Sequence, residues 1–316
     1  MKRILITGVT GFVGTNLVRY LHTNENIKIL GYSRNIQVAK TKFTSYHLDF
    51  IEDISSEILD NYNVDTIIHL AGIAHDLSGT HNKEHYHEVN HRNTTELYNE
   101  FLKSATNAFI FISSVKAVVD HTREIIDENT ISRPSSDYGI SKKRAEDYIL
   151  NHSQDNKRTF ILRPCMIHGP GNKGNLNLLY RFVKSGLPYP LGSFENKRSF
   201  LSIENFCFVI QRTIEEKLNP GVYLLADDQP VSTNDLVRII GGTIHKSVRI
   251  VRFPKKLILF LAKLGSMMHL PFNMGMLSKL CEDMVISNKK LLLNLGEDLP
   301  VSSAEGFKKT IESFNE

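Results

Sequence analysis

Tyr138 and Lys142, four residues apart in the run YGISK, are the sharpest chemical signal in the chain. At i and i+4 they share one face of a helix. A phenol, with an ordinary pKa of about 10, is a poor acid–base group at neutral pH. A neighbouring ammonium favours the phenolate and lowers that pKa. The pair therefore predicts a tyrosine that exchanges a proton with a carbonyl or hydroxyl oxygen. Ser114 stands 24 residues before Tyr138, just after the apolar run FIFIS. Placed at the end of a strand, its hydroxyl orients the reacting oxygen toward the phenol.

A second constellation lies at the N-terminus. Residues 7–14 read TGVTGFVG, with Gly8, Gly11 and Gly14 spaced as G-x-x-G-x-x-G. The run follows a short apolar strand and opens an amphipathic helix, the context that a dinucleotide fingerprint requires. Glycine permits the tight turn and lets the amides of Thr10, Gly11, Phe12 and Val13 approach a pyrophosphate at the helix N-terminus. The end of the second strand then selects the cofactor. A carboxylate there binds the ribose 2′-hydroxyl of NAD, whereas an arginine accommodates the 2′-phosphate of NADP. The segment reads LGYSRN, with no acid and with Ser33 and Arg34 in place. NADP(H) is therefore expected, with NAD(H) as the alternative. Asp49, in HLDF, is the expected partner of the adenine amino group. Lys142 is expected to hold ribose hydroxyls of the same cofactor.

The elements that position these groups follow from periodicity. Short β-branched runs at 4–6, 27–32, 66–71, 109–113 and 159–163 alternate with amphipathic stretches, one of them continuous from about Lys83 to Lys103 and another from about Asp137 to Asn151. This rhythm predicts an α/β fold: a doubly wound parallel sheet with helices on both faces, the Rossmann arrangement. After Pro164 the pattern becomes loop-rich and then helical. Residues 1–168 read as the dinucleotide-binding domain and 169–316 mainly as a smaller substrate-binding lobe. A segment near 200–227 is interleaved, because the run VYLLA (222–226) is able to rejoin the main sheet. Capping boxes at Ser232/Asp235 and Ser302/Glu305 mark two helix starts.

Taken together, TGxxGxxG, HLAG (69–72), Asn90, the serine pair 113–114, YxxxK at 138–142 and LRP (162–164) resemble the extended short-chain dehydrogenase/reductases of the NAD(P)-dependent epimerase/dehydratase family. Within it, SSVK (113–116), HGPGNKGN (168–175) and PLGSFENKRSFLSIEN (190–205) look like the bacterial nucleotide-sugar enzymes of surface-polysaccharide synthesis. The resemblance implies a Ser114–Tyr138–Lys142 catalytic triad and an Asn90 that holds the cofactor and the active-site helix. It implies that Leu70, Ala71 and Gly72 line the cofactor groove and that Arg163 lies near the nicotinamide. Asn175 is expected to contact the sugar nucleotide and Arg198 its diphosphate, a role that also suits a planar guanidinium. A homodimer built on the helices near Asn90 and Tyr138 is implied too. The chain departs from the family pattern in two places: His168 replaces a frequent tyrosine, and Val115-Lys116 replaces the acidic pair of the 4,6-dehydratases. Dehydration needs a carboxyl acid to expel a hydroxyl, so that activity is not expected. The leading expectation is an NADPH-dependent 4-keto reductase of a UDP- or dTDP-4-keto-6-deoxy sugar. The alternatives are a UDP-hexose or UDP-N-acetylhexosamine 4-epimerase with tightly held NAD, and a non-catalytic NADP-binding sensor.

Composition narrows the classes further. The chain has 316 residues, 41% of them hydrophobic and 23% charged, and a net charge of +4. No block of five like charges occurs, so no nucleic-acid partner is expected. No run of 18 apolar residues occurs, so no membrane span is expected. Three scattered cysteines fit a reducing cytoplasm better than a disulfide framework. His81 and His85 have ligand spacing, yet without a cysteine or an HExxH motif no metal is expected. The basic, apolar stretch 255–270 reads as a core helix of the second lobe.

Overall fold

The computed structural model describes residues 1–46, 48–73, 83–172, 174–270 and 272–315. Its first half alternates strand and helix: β1 (Lys2–Thr7), α1 (Phe12–Leu21), β2 (Ile27–Tyr32), α2 (Ile36–Lys42), β3 (Asp49–Ile51), α3 (Ser56–Asn61) and β4 (Thr66–His69). Next come α4 (Lys83–His87), α5 (Asn93–Lys103), β5 (Ala108–Ile112), α6 (Asp137–Asn151) and β6 (Arg158–Pro164). The remainder comprises β7 (Met166–His168), α7 (Asn175–Lys184), β8 (Phe200–Ser202), α8 (Ile203–Ile214), β9 (Gly221–Leu225) and α9 (Thr233–Thr243). Four helices finish the chain: α10 (Lys255–Met267), α11 (Met274–Cys281), α12 (Lys289–Leu295) and α13 (Ser303–Glu312).

Seven strands form one parallel sheet in the order β3-β2-β1-β4-β5-β6-β9. Alternation along the strands divides their apolar side chains between two cores. Ile4, Ile6, Ile68, Ile110 and Leu162 pack with Leu17 and Val18 of α1 and Phe206 and Ile210 of α8. Leu5, Ile67, Phe109, Phe111 and Ile161 pack with Leu97, Tyr98 and Phe101 of α5 and Ala145 and Ile149 of α6. Buried on both faces, β5 is apolar at every position, as a central parallel strand must be. The chain leaves β1 toward β2 and β3, then returns through β4 toward β5 and β6. That reversal opens a crevice at the C-terminal ends of β1 and β4.

The second lobe has its own core, from Leu179 and Val183 of α7, Val237 and Ile240 of α9, Ile258 of α10 and Phe307 of α13. β7 and β8 pair beside it. Ser232 and Ser302 cap α9 and α13 by accepting the amides of Asp235 and Glu305. The helix expected without a break from Lys83 to Lys103 is interrupted. A π-helical turn, Glu88–Arg92, separates α4 from α5 and turns Asn90 into the interior.

Candidate active site

The glycine run forms a closed cradle. Gly8 adopts φ +68°, and a Cβ there would lie 2.7 Å from the amide nitrogen of Ala71. A Cβ on Gly14 would lie 2.5 Å from the carbonyl oxygen of Gly8. Only glycine allows both the turn and the close packing of α1 on β1. Gly11 precedes α1 and no side chain caps it. The first-turn amides at Phe12 and Val13 have no intrahelical acceptor, so they suit an anion. The residues present thus fit the pyrophosphate of a dinucleotide. Leu70, Ala71 and Gly72 run directly beside this turn, with the Ala71 amide donating to Thr7 Oγ1 at 3.2 Å. At the end of β2, Arg34 is exposed. Ser33 Oγ is turned back on its own loop, donating to the Asn35 carbonyl and accepting from the Asn35 amide. Lys42 Nζ donates to the Thr10 carbonyl at 2.6 Å, which brings a second cation to the same edge.

Ser114, Tyr138 and Lys142 converge at the end of β5. Ser114 is extended and accepts the Lys116 amide, starting a single 3-10 turn. Its side chain lies close enough to the Tyr138 hydroxyl to lower the pKa of that phenol, against the larger effect of burial. The contact depends on Gly139, because a Cβ there would sit 2.3 Å from the Lys116 carbonyl oxygen. Lys142 is buried, donates to the Ile112 carbonyl at 2.9 Å and lies 4.7 Å above the Phe111 ring. The electrostatics correct the expectation that Lys142 depresses the phenol. Burial, opposed only in part by Ser114, pushes Tyr138 up to about 12. Burial pulls Lys142 down to about 8, against the pull of Glu146. Desolvation outweighs the attraction because the ammonium is satisfied by a carbonyl rather than by the phenol.

Asn90 was expected to hold the active-site helix, whereas the positioning roles of His69 and Asp120 escaped sequence reasoning. Asn90 grips Ile73 from both sides, accepting its amide at 2.8 Å and donating to its carbonyl at 2.9 Å, and donates to Ser141 Oγ on α6. This pins the segment after Gly72 to the catalytic helix. His69 bridges Thr7 and Thr94 at 2.7 and 2.9 Å. Thr94 gives its proton to the Asn90 carbonyl, so His69 donates through Nε2 and accepts through Nδ1. Burial first, and Lys142 second, lower the His69 pKa to about 3, so the ring is neutral. The buried carboxylate of Asp120 receives two amides and two hydroxyls from Ser135 and Ser136. Burial alone would raise its pKa, but those hydrogen bonds hold it at about 2. Ser136 in turn caps α6, so Asp120 anchors the start of the helix that carries Tyr138. The serine pair before YGISK was the only signal in the sequence.

Other expected residues are placed differently. Arg163 gives both arms of its guanidinium to Glu146 at 2.9 and 2.6 Å, within the buried space between β6 and α6. It braces α6 one turn beyond Lys142, with its charge paired inside the fold. Asp49 begins β3 and pairs with Lys28 at 2.9 Å, drawn back from the C-terminal edge of the sheet. Asn175 is exposed at the first turn of α7. Arg198 lies over the Phe200 ring, and Cys165, just past β6, is a buried thiol whose pKa burial raises well above its ordinary value. His168 stacks on Phe307 at 4.0 Å and bonds Thr310, so it is a core residue between β7 and α13. His75 and His81 lie outside the described residues, and no metal-binding group occurs among the described ones.

Comparison with known proteins places this geometry. A model described as the NAD dependent epimerase/dehydratase family matches residues 4–226. The chain belongs to that family. It is 31% identical over 320 residues to a UDP-glucose 4-epimerase of Vibrio cholerae, covering 99% of this chain and 95% of that one. It is 27% identical to an N-acetyl-alpha-D-glucosaminyl-diphospho-ditrans,octacis-undecaprenol 4-epimerase of Escherichia coli O157:H7, over 91% of this chain and 81% of the relative. Among solved structures, a UDP-glucuronic acid 4-epimerase from Bacillus cereus in complex with NAD superposes with a TM-score of 0.77 at 18% identity, over 99% and 98% of the two chains. This last likeness is one of fold.

Proposed function

We propose that this family member reduces the 4-keto group of a nucleotide sugar with NADPH. The observation that carries the reading is the end of β2, where the segment LGYSRN holds no carboxylate, Arg34 is exposed and Lys42 reaches the Thr10 carbonyl of the glycine turn. A ribose 2′-phosphate needs such charge, and an NAD-selective site needs an acid there. The cradle of Gly8, Gly11 and Gly14, with Phe12 and Val13, would hold the pyrophosphate, and Gly72, Asn90 and Lys142 would bound the nicotinamide side. The bound cofactor supplies the hydride. Tyr138 gives its hydroxyl proton to the carbonyl oxygen as the C4 carbon becomes tetrahedral, and Ser114 donates to the same oxygen. A phenol held at about 12 is in the acid form that reduction consumes. Arg198 is assigned to the diphosphate and Asn175 to the sugar nucleotide.

A second reading is a UDP-sugar 4-epimerase with retained NAD(H), favoured by the names of the relatives. The same hydroxyls serve it: Tyr138 takes the proton of the C4 hydroxyl and later returns it to the same oxygen, while the C4 hydride passes to the bound cofactor and comes back on the other face of the carbon. Titration of cofactor-stripped protein separates the two. We expect NADPH to bind at least tenfold tighter than NADH, about 1.4 kcal/mol, and Arg34→Ala to remove that margin while leaving NADH unchanged. NADPH consumption with a UDP-4-keto-6-deoxy sugar then follows. NAD that resists stripping, with Arg34→Ala silent, sinks the reductase reading and leaves the epimerase.

A further inference from the structure

The stretch expected to be a core helix is mostly outside the core. Helix α10 buries only Ile258, Ala262 and Gly265. On its opposite side Phe260 and Met267 are 63% and 75% exposed, and Leu257, Leu259, Leu261 and Leu264 are exposed around them. Met268 and Leu270 continue the apolar surface past the end of the helix. Single exposed leucines are ordinary, but a contiguous patch of this kind marks an interaction surface.

Charge identifies the class of partner. Between Leu236 and Cys281 the chain holds eight Lys and Arg and no Asp or Glu, while the rest holds 30 basic and 34 acidic residues. Some of these cations are engaged within the fold: Arg238 pairs with Asp235, Arg252 with Glu195, and Lys246 bonds the Lys184 carbonyl. Lys256 and Lys263 are exposed on α10. Seven residues apart, they form one row beside the row of Phe260 and Met267, which has the same spacing. A helix with an apolar outer stripe, a basic flank and no acid matches a helix that lies in a bilayer interface. Thirteen residues reach about 20 Å, and no described helix is long and apolar enough to cross a membrane. A second copy of the chain fits this surface worse, because a two-fold contact would press two acid-free basic segments together.

We propose that α10 docks this protein on an anionic lipid surface, with Phe260 and Met267 in the acyl boundary and Lys256 and Lys263 at the headgroup phosphates. The proposal does not depend on the reaction assigned above. Co-sedimentation of the full chain with vesicles tests it, comparing phosphatidylglycerol and phosphatidylcholine in equal parts with phosphatidylcholine alone. The wild-type protein should pellet at least tenfold more strongly with the anionic vesicles, and high salt should weaken the binding. The double variants Phe260→Glu/Met267→Glu and Lys256→Glu/Lys263→Glu should each lose about tenfold or more of the binding, with unchanged melting temperature and cofactor affinity. Equal sedimentation with both vesicle types, or none with either, overturns the proposal. So does a Phe260→Glu/Met267→Glu protein that loses mass in light scattering yet still pellets, since the patch would then join two copies.

Discussion

Lys142 shows how far one residue's surroundings reshape its chemistry. Its side chain is buried beside β5, and without a ligand its ammonium has one carbonyl and one aromatic face as partners. The folded pKa of about 8 lies below the ordinary 10.5, so the folded state releases a proton that the unfolded state keeps. The resulting destabilisation is complete below about pH 8 and fades as pH rises toward 10.5. Lys142→Met in cofactor-free protein should therefore raise stability at pH 7 by about 2 kcal/mol, after allowing for the lost hydrogen bond. That gain should shrink steadily above pH 8. Thermal melts across this range check the sign, and a gain that grew with pH would contradict the assignment. Turnover should fall in the same variant.

At the scale of elements, the proposed chemistry depends on how closely the start of α6 approaches the turn after β5. Gly139 sets that distance through the Lys116 carbonyl, and Asp120 and the Arg163–Glu146 pair hold the helix at its start and middle. Gly139→Ala forces the helix outward by a few tenths of an ångström or more and separates Tyr138 from Ser114. We expect turnover to fall about a hundredfold, the order lost when a positioned acid is displaced. Cofactor binding should weaken far less than turnover, because the glycine cradle lies on β1 and α1 and only Lys142 moves with α6. Steady-state kinetics beside cofactor titration distinguish this from general unfolding, which would lower both. The π-helical turn at Asn90 acts in the same way, using one extra residue per turn to aim an amide at Ile73.

The whole molecule joins a seven-stranded parallel sheet to a helical lobe through β7, β8 and β9. β9 extends the main sheet, so the helical lobe cannot swing freely as a separate body on a linker. α5 and α6 pack side by side on one face of the sheet. We propose that these two helices pair with their counterparts in a homodimer, leaving α10 on a separate surface. Light scattering on the purified chain should give twice the 35.9 kDa mass of one chain. A charged substitution at the half-exposed Leu150 of α6 should weaken that association, and a monomeric wild-type protein would refute it.

The periodicity of apolar residues, the glycine spacing and the YxxxK pair determined the doubly wound sheet, the nucleotide cradle and the position of Tyr138 and Lys142. These are local properties: a turn needs its glycine, and residues four apart share a helical face wherever the helix packs. The sequence alone could not settle what burial does to each charge. Arg163 reads as a neighbour of the nicotinamide until Glu146 meets it from α6, and Lys142 reads as the partner of a phenolate until desolvation and the Ile112 carbonyl claim it. The apolar stretch around Phe260 reads as core by composition, because composition does not tell which side of a helix has neighbours. Those outcomes depend on contacts between residues far apart in the chain, and the tertiary structure alone decides them.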